Sequence, residues 1–82
     1  MADEKPLSQR LRPNMRVRHY KGDVYRIQSF ATHAATDDAM VVYRLDSDTE
    51  WDGRIWVRSR YMFDERVENE GETKPRFVEL LD

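Results

Sequence analysis

Turn signals cut this chain into pieces too short for helices of ordinary length. Lys21-Gly22-Asp23, Asp52-Gly53 and Gly71 separate short runs rich in β-branched and aromatic residues, and no apolar run exceeds the five residues Ala39 to Tyr43. Turns recurring about every 8 to 12 residues between such runs are the mark of a small all-β sandwich or barrel. From Met15 the pattern alternates: Met15, Val17 and His19 fall on one side of an extended segment, Arg16, Arg18 and Tyr20 on the other. Gly22 supplies the positive φ of a tight turn, and a second strand runs from Val24 to Phe30, with Tyr25 and Ile27 opposite Val24, Arg26 and Phe30. These two strands make a first hairpin.

Ala31 to Asp38 has no period and is expected to be an irregular connection. A third strand follows at Ala39 to Leu45, then an acidic loop from Asp46 to Gly53, then a strand at Arg54 to Arg58 that completes a second hairpin. In that last strand Ile55 and Val57 face one way while Arg54, Trp56 and Arg58 face the other. Met62, Phe63 and Val67 are spaced for one helical turn or a bent strand, with Ser59 as its N-cap. Asp64, Glu65, Glu68, Glu70 and Glu72 crowd the following stretch up to a turn at Gly71, and Pro75 to Leu81 reads as a final strand. The expected fold is mainly β: a small SH3-like barrel of about five bent antiparallel strands with at most one short helical turn. Residues 1–13 are polar, lack a period and end at Pro13, so they read as a mobile N-terminal tail on a single barrel domain spanning residues 14–82.

Composition narrows the function. With 82 residues and no cysteine, the chain has one modest core, no disulfide, no thiol nucleophile and no cysteine-ligated metal. No segment reaches the roughly 20 apolar residues of a membrane span, and Met1 to Lys5 lacks a signal peptide's apolar core, so a cytoplasmic protein without a membrane partner is expected. Residues 1–22 carry a net charge of +4 and the remaining 60 carry −6. Of the 14 basic residues, 11 are arginine.

Candidate chemistry is sparse. Asp46, Asp48, Glu50 and Asp52 alternate as in a calcium loop, but Trp51 stands where the sharp-turn glycine belongs and Val57 where the bidentate glutamate belongs. His19 and His33 have no companion at ligand spacing, and no cofactor or metal is expected. His33 near Thr36, Asp37 and Asp38 has the residue types of a general base with carboxylate support, although threonine and aspartate also cap loop backbone. A stronger constellation is Arg54, Trp56 and Arg58 with Arg44 on the neighbouring strand: an indole platform flanked by planar cations, suited to an anion, a base or a carboxylate. The competing interpretation has Trp56 covering the open end of the barrel and Arg58 pairing with carboxylates of the 64–72 stretch.

The ordered series His19-Tyr20-Lys21-Gly22, Val24-Tyr25, Ala31-x-His33, Val41-Val42-Tyr43-Arg44, Trp56-Val57-Arg58, Met62-Phe63-x-Glu65-x-Val67, Gly71 and Pro75-Arg76-Phe77 resembles the small bacterial family catalogued as domain of unknown function 1653. The resemblance covers about Met15 to Leu80. It implies a compact SH3-like β domain with no established activity, and it offers His19, Lys21, His33, Thr36, Arg44, Trp56, Arg58 and Arg76 as shared polar positions for a site, with Tyr20, Tyr43, Phe63 and Phe77 packing the core. Three departures stand out: His33-Ala34-Ala35-Thr36 replaces the family's His-Ser-Glu-Thr, Ser59 follows Arg58 in place of proline, and Asp46 follows Leu45 in place of tyrosine. The first removes the hydroxyl and carboxylate beside His33, and with them its natural supporting partners. The leading expectation is a non-enzymatic binding module in which Trp56 stacks, Arg58 and Arg44 pair with a carboxylate or phosphate, and His33 bonds at the rim. Its partner would be a small anionic ligand, a peptide or a protein. A second reading is a nucleic-acid-binding module using the basic 10–21 segment with Trp56 and Tyr20 as stacking platforms, and a third is a small enzyme using His33 with Asp37 or Asp38.

Overall fold

A computed structural model describes residues 5–46 and 53–81, and over these residues the chain forms seven strands and two 3₁₀ turns. The strands are β1 (Arg16–His19), β2 (Val24–Thr32), β3 (Ala39–Leu45), β4 (Trp56–Ser59), β5 (Arg66–Asn69), β6 (Glu72–Pro75) and β7 (Phe77–Leu80). Five of them form one curled antiparallel sheet, a half-barrel, in the order β4, β3, β2, β1, β7; β5 and β6 form a separate hairpin. The mainly β, bent-sheet architecture expected from the turn spacing is therefore present. Both expected hairpins are too: β1 pairs with β2 across Gly22, whose φ is 112°, and β3 pairs with β4.

Side chains on the concave face make the core. Met15, Val17, Ile27, Val41, Tyr43, Phe63 and Phe77 are buried there, as period-two alternation along β1, β2 and β3 dictates. One local feature departs from that alternation. Ile27 pairs with Tyr43 and Ser29 with Val42, so Gln28 is an extra residue, a β-bulge. The bulge turns Phe30, expected opposite Ile27, onto the face of its cross-strand partner Val41.

The amino-terminal segment also differs from the expected tail. Leu7 and Leu11, four residues apart, are each only 7% exposed and belong to the core, and Leu7–Gln9 forms a 3₁₀ turn. Ser8 donates from both its backbone N–H and its hydroxyl to Asp64, and its carbonyl accepts from Arg60 Nε at 2.7 Å. Arg10 and Arg12 both pair with Glu79 on β7. Two leucines without a repeating period carry no helical signal in sequence, yet an exposed core edge offers them a place to bury.

The second 3₁₀ turn, Arg60–Asp64, sits where one helical turn was expected and inserts Phe63; Ser59 precedes it without a side-chain cap. The hairpin of β5 and β6 takes in Val67, expected in a helical turn or bent strand, and Pro75, expected in the final strand, which begins instead at Phe77. Glu70 and Gly71 at its tip both have positive φ, 54° and 82°, the combination of a type I′ turn. The calcium-like positions Asp48, Glu50 and Asp52 lie outside the described residues. Among the described residues no helix is long and apolar enough to cross a membrane.

Candidate functional site

A floor of aromatic rings lies under one end of the half-barrel, buried at Tyr43, Phe63 and Phe77 and half-buried at Tyr25 and Trp56. Tyr43 is its centre, edge-on to Tyr25 at 5.3 Å, Phe63 at 5.8 Å and Phe77 at 6.2 Å, and stacked with Trp56, its cross-strand partner, at 6.1 Å. Phe63 stacks on Phe77 at 4.5 Å, and His19, opposite Phe77 in the β1–β7 ladder, meets that ring edge-on at 5.1 Å. Edge-to-face and offset contacts of this kind satisfy the ring quadrupoles and hold the floor rigid.

Cations stand over this floor. The Arg58 guanidinium lies 5.4 Å from the centroid of Phe77, and its Nε donates to the Tyr43 hydroxyl at 3.1 Å. Arg54 lies 5.7 Å over Trp56. Lys21 lies 5.9 Å from the ring of Tyr20, and Arg76, next to Phe77, donates from Nε to Glu65 at 3.1 Å. The imidazole of His19 accepts the Lys21 backbone N–H at Nδ1, 3.2 Å away, which leaves Nε2 to carry the proton of the neutral ring. Burial lowers the pKa of His19 below its ordinary value, and the positive charges of Arg58, Arg76 and Lys21 lower it further, against a smaller opposing pull from Asp23. The same neighbourhood raises the Tyr25 phenol, through burial first and then the charge of Asp23 and the Tyr43 hydroxyl.

Arg58 is distinctive among these cations. It is half-buried, yet among the described residues no carboxylate lies within ion-pair distance of it. The acidic residues 64–72 do not neutralise it. Trp56 is half-buried against Tyr25 and Tyr43.

The structure thus gathers His19, Lys21, Trp56, Arg58 and Arg76 at one end and separates them from the other three sequence candidates. Arg44 was expected beside Trp56 and Arg58 but sits on the opposite face, because the residue across from Trp56 is Tyr43 and neighbours alternate. There Arg16, Arg26 and Arg44 stand in one row across β1, β2 and β3, and Asp46 accepts from Arg16 Nε at 2.9 Å and from Arg26 Nε at 3.0 Å. With Asn14 these residues line a hollow of about 530 Å³. Arg44 also donates to the Leu45 carbonyl at 3.4 Å.

His33 and Thr36 lie in the β2–β3 turn, at the far end of the nine-residue strand β2. Their contacts are those of a loop. His33 Nδ1 accepts the Ala35 N–H at 3.1 Å, Thr36 Oγ1 accepts the Asp38 N–H at 3.2 Å, and the backbones of His33, Asp37 and Asp38 bond one another. Neither Asp37 nor Asp38 reaches the imidazole within ion-pair distance. Among the described residues no cluster of three or more histidine and carboxylate side chains is arranged to hold a metal ion.

Sequence reasoning assigned Tyr43 and Phe77 to the core and missed that they also shape the site. Tyr25 went unnoticed there. The alternation of β2 set it opposite Arg26, but only the register between the two hairpins brings it to Trp56.

Comparison with known proteins finds a family match for the chain. The model described as a protein of unknown function, DUF1653, matches residues 15–79. A crystal structure of a protein of that family from Bordetella bronchiseptica is similar at 31% sequence identity, with a TM-score of 0.68 over 87% of this chain and 88% of that one. Among curated proteins nothing matches significantly.

Proposed function

The chain belongs to the DUF1653 family, and from the geometry of its own residues we propose that it is a non-enzymatic binding module whose basic, aromatic end captures an anionic group. The observation that carries this reading is Arg58: a half-buried guanidinium held by the Tyr43 hydroxyl and the Phe77 ring, with no carboxylate to neutralise it among the described residues. A partly desolvated cation left without a counter-charge is costly for folding alone, and a carboxylate or phosphate presented to it gains charge-assisted hydrogen bonds. Lys21 adds positive charge, Arg76 being already paired with Glu65, while Trp56 and Tyr25 offer ring surface to whatever carries the anion. Arg10, Arg12 and Arg16 already face Glu79 and Asp46, so the basic entry segment gives less support to tracking a nucleic-acid backbone. Catalysis through His33 has no support in its loop contacts.

The test uses fluorescence of Trp56 in a Trp51→Phe background. Titration with citrate and with pyrophosphate is expected to shift the emission, and Arg58→Ala to weaken binding by about tenfold, the scale of a charged hydrogen bond. If neither anion gives a shift that depends on Arg58, this function is wrong.

A further inference from the structure

The strand that carries Trp56 and Arg58 is also an edge of the sheet. β4 pairs only with β3, and among the described residues no other segment hydrogen-bonds to its outer side. In an antiparallel strand every second residue turns both its N–H and its C=O to one side, so half of β4 presents unpaired backbone there. The opposite edge is different. Along β7, Glu79 is taken up by Arg10 and Arg12, and Leu7 and Arg10 of the amino-terminal segment line a hollow together with Phe77, Val78 and Glu79.

Two further features of β4 point to what would cover it. The first is charge. Arg58 and, just after the strand, Arg60 face no carboxylate among the described residues, and the stretch from Gly53 to Met62 contains no acidic residue. The second is exposed apolar surface: Val57, on the side of the strand away from Trp56 and Arg58, is 57% exposed, and Ile55, just before the strand, is 46% exposed. Edge strands are commonly protected by inward charges or a covering segment, and exposed β-branched residues on an open edge are what such protection avoids.

We propose that β4 is a β-augmentation edge for an extended acidic segment of a partner protein, one that alternates acidic and apolar side chains. This rests on the anion-binding reading above and specifies its ligand. Strand addition pairs the segment's backbone with the open edge, and the period of two then sorts its side chains. Acidic residues fall on the face of Arg58 and Trp56, and apolar residues beside Val57 and Ile55. Backbone pairing gives affinity, and the cross-strand carboxylate–arginine pair sets register.

A capped peptide of alternating glutamate and valine is the probe, measured by Trp56 fluorescence and by hydrogen exchange of the β4 amides. Binding is expected with slowed exchange in β4 and not in β7. N-methylation of alternate peptide amides should abolish it, and Arg58→Ala should weaken it about tenfold. Because Arg58→Ala also removes a contact to Tyr43, a charge swap provides a second variant: Arg58→Glu is expected to reverse preference toward the alternating lysine–valine peptide. Equal binding of the N-methylated peptide, protection at β7, or no charge reversal overturns strand addition. So does stronger protection of β4 by single-stranded oligothymidylate. If citrate still binds through Arg58 in those cases, the anion site stands and only the strand partner is wrong; loss of both sinks both.

Discussion

Among the described residues Asp46 is a carboxylate that two arginines of the convex row bond, and Asp46→Asn measures how much those bonds contribute. Arg16, Arg26 and Arg44 are direct cross-strand neighbours, an arrangement in which like charges repel. The Asp46 carboxylate bonds two of them at 2.9 and 3.0 Å, with its side chain 18% exposed. Charged hydrogen bonds contribute about 1.5–3 kcal/mol when buried, and exposed ion pairs about 0–1 kcal/mol, so each of these half-sheltered contacts is worth about 1 kcal/mol. Asparagine keeps one acceptor and turns an NH₂ toward the second guanidinium. The expected loss is about 2 kcal/mol, which in a domain of this size lowers Tm by about 8–16 °C. The pH dependence provides an internal check. Burial alone would raise the Asp46 pKa, but hydrogen bonds from Arg26 and Arg16 outweigh it and hold the group below its ordinary value of 3.8. A carboxyl depressed in the folded state stabilises above its unfolded pKa, and that stability is lost as pH falls through the folded value. Urea unfolding of wild type and variant should therefore differ fully near pH 7 and converge below about pH 3.8. A difference under about 0.5 kcal/mol near neutrality, or one that persists undiminished in acid, refutes the assignment of Asp46 as the clamp.

Two other predictions address the amino-terminal segment and His19. Leu11→Ala should destabilise by about 2–3 kcal/mol in thermal or urea unfolding, since the side chain is buried in the core at 7% exposure; a change under about 0.5 kcal/mol would mean the segment is not docked. His19 faces Arg58, Arg76 and Lys21 with only Asp23 opposing, so its lowered pKa keeps it neutral near pH 7, and acidification below its ordinary value of 6.5 adds a cation to the site. Affinity of the wild type for citrate or pyrophosphate relative to that of His19→Gln should therefore rise as pH falls below 6.5, the ratio cancelling the anions' own titration. Over the same interval the free wild-type protein should lose stability relative to His19→Gln, because the unfolded chain takes up the proton first.

What could be read from the sequence was whatever rests on short-range rules. Ala39–Leu45 was delimited by β-branched and aromatic residues alone, and Gly22 announced its turn through its permissive backbone. Features set by partners far along the chain were not legible. The bulge at Gln28 carries no local signature, yet it decides on which face Phe30 lies. The β5–β6 hairpin is written in arginine, glutamate, asparagine, threonine and lysine around a single Val67, so its composition spoke for a solvated stretch while its register is fixed by the turn at Glu70 and Gly71. In the site, alternation within β4 correctly put Trp56 and Arg58 together and away from Val57. Alternation within β3 put Arg44 with Val42, but which face of β3 meets Trp56 depends on a one-residue choice of register that no local pattern fixes.

That register also explains why arginine outnumbers lysine. A half-barrel this small leaves rings and strand edges open to water, and a planar cation can lie on a ring while its fork bonds a neighbour, whereas an ammonium is a compact, strongly hydrated point charge. Arg10, Arg12, Arg16, Arg26 and Arg76 spend their forks on Glu79, Asp46 and Glu65, tying distant segments together. Arg60 lies over Phe30 and bonds Ser8, and Arg58 lies over Phe77 and bonds Tyr43, each through a neutral acceptor. The distinction separates two uses of one residue type. A carboxylate partner consumes an arginine's charge in holding the fold; a carbonyl or hydroxyl partner fixes its position and leaves the charge available. Arg58 and Arg60 are of the second kind, one on β4 and one just after it, which favours the proposed binding surface at β4 over the arginine-lined hollow where Asp46 already stands.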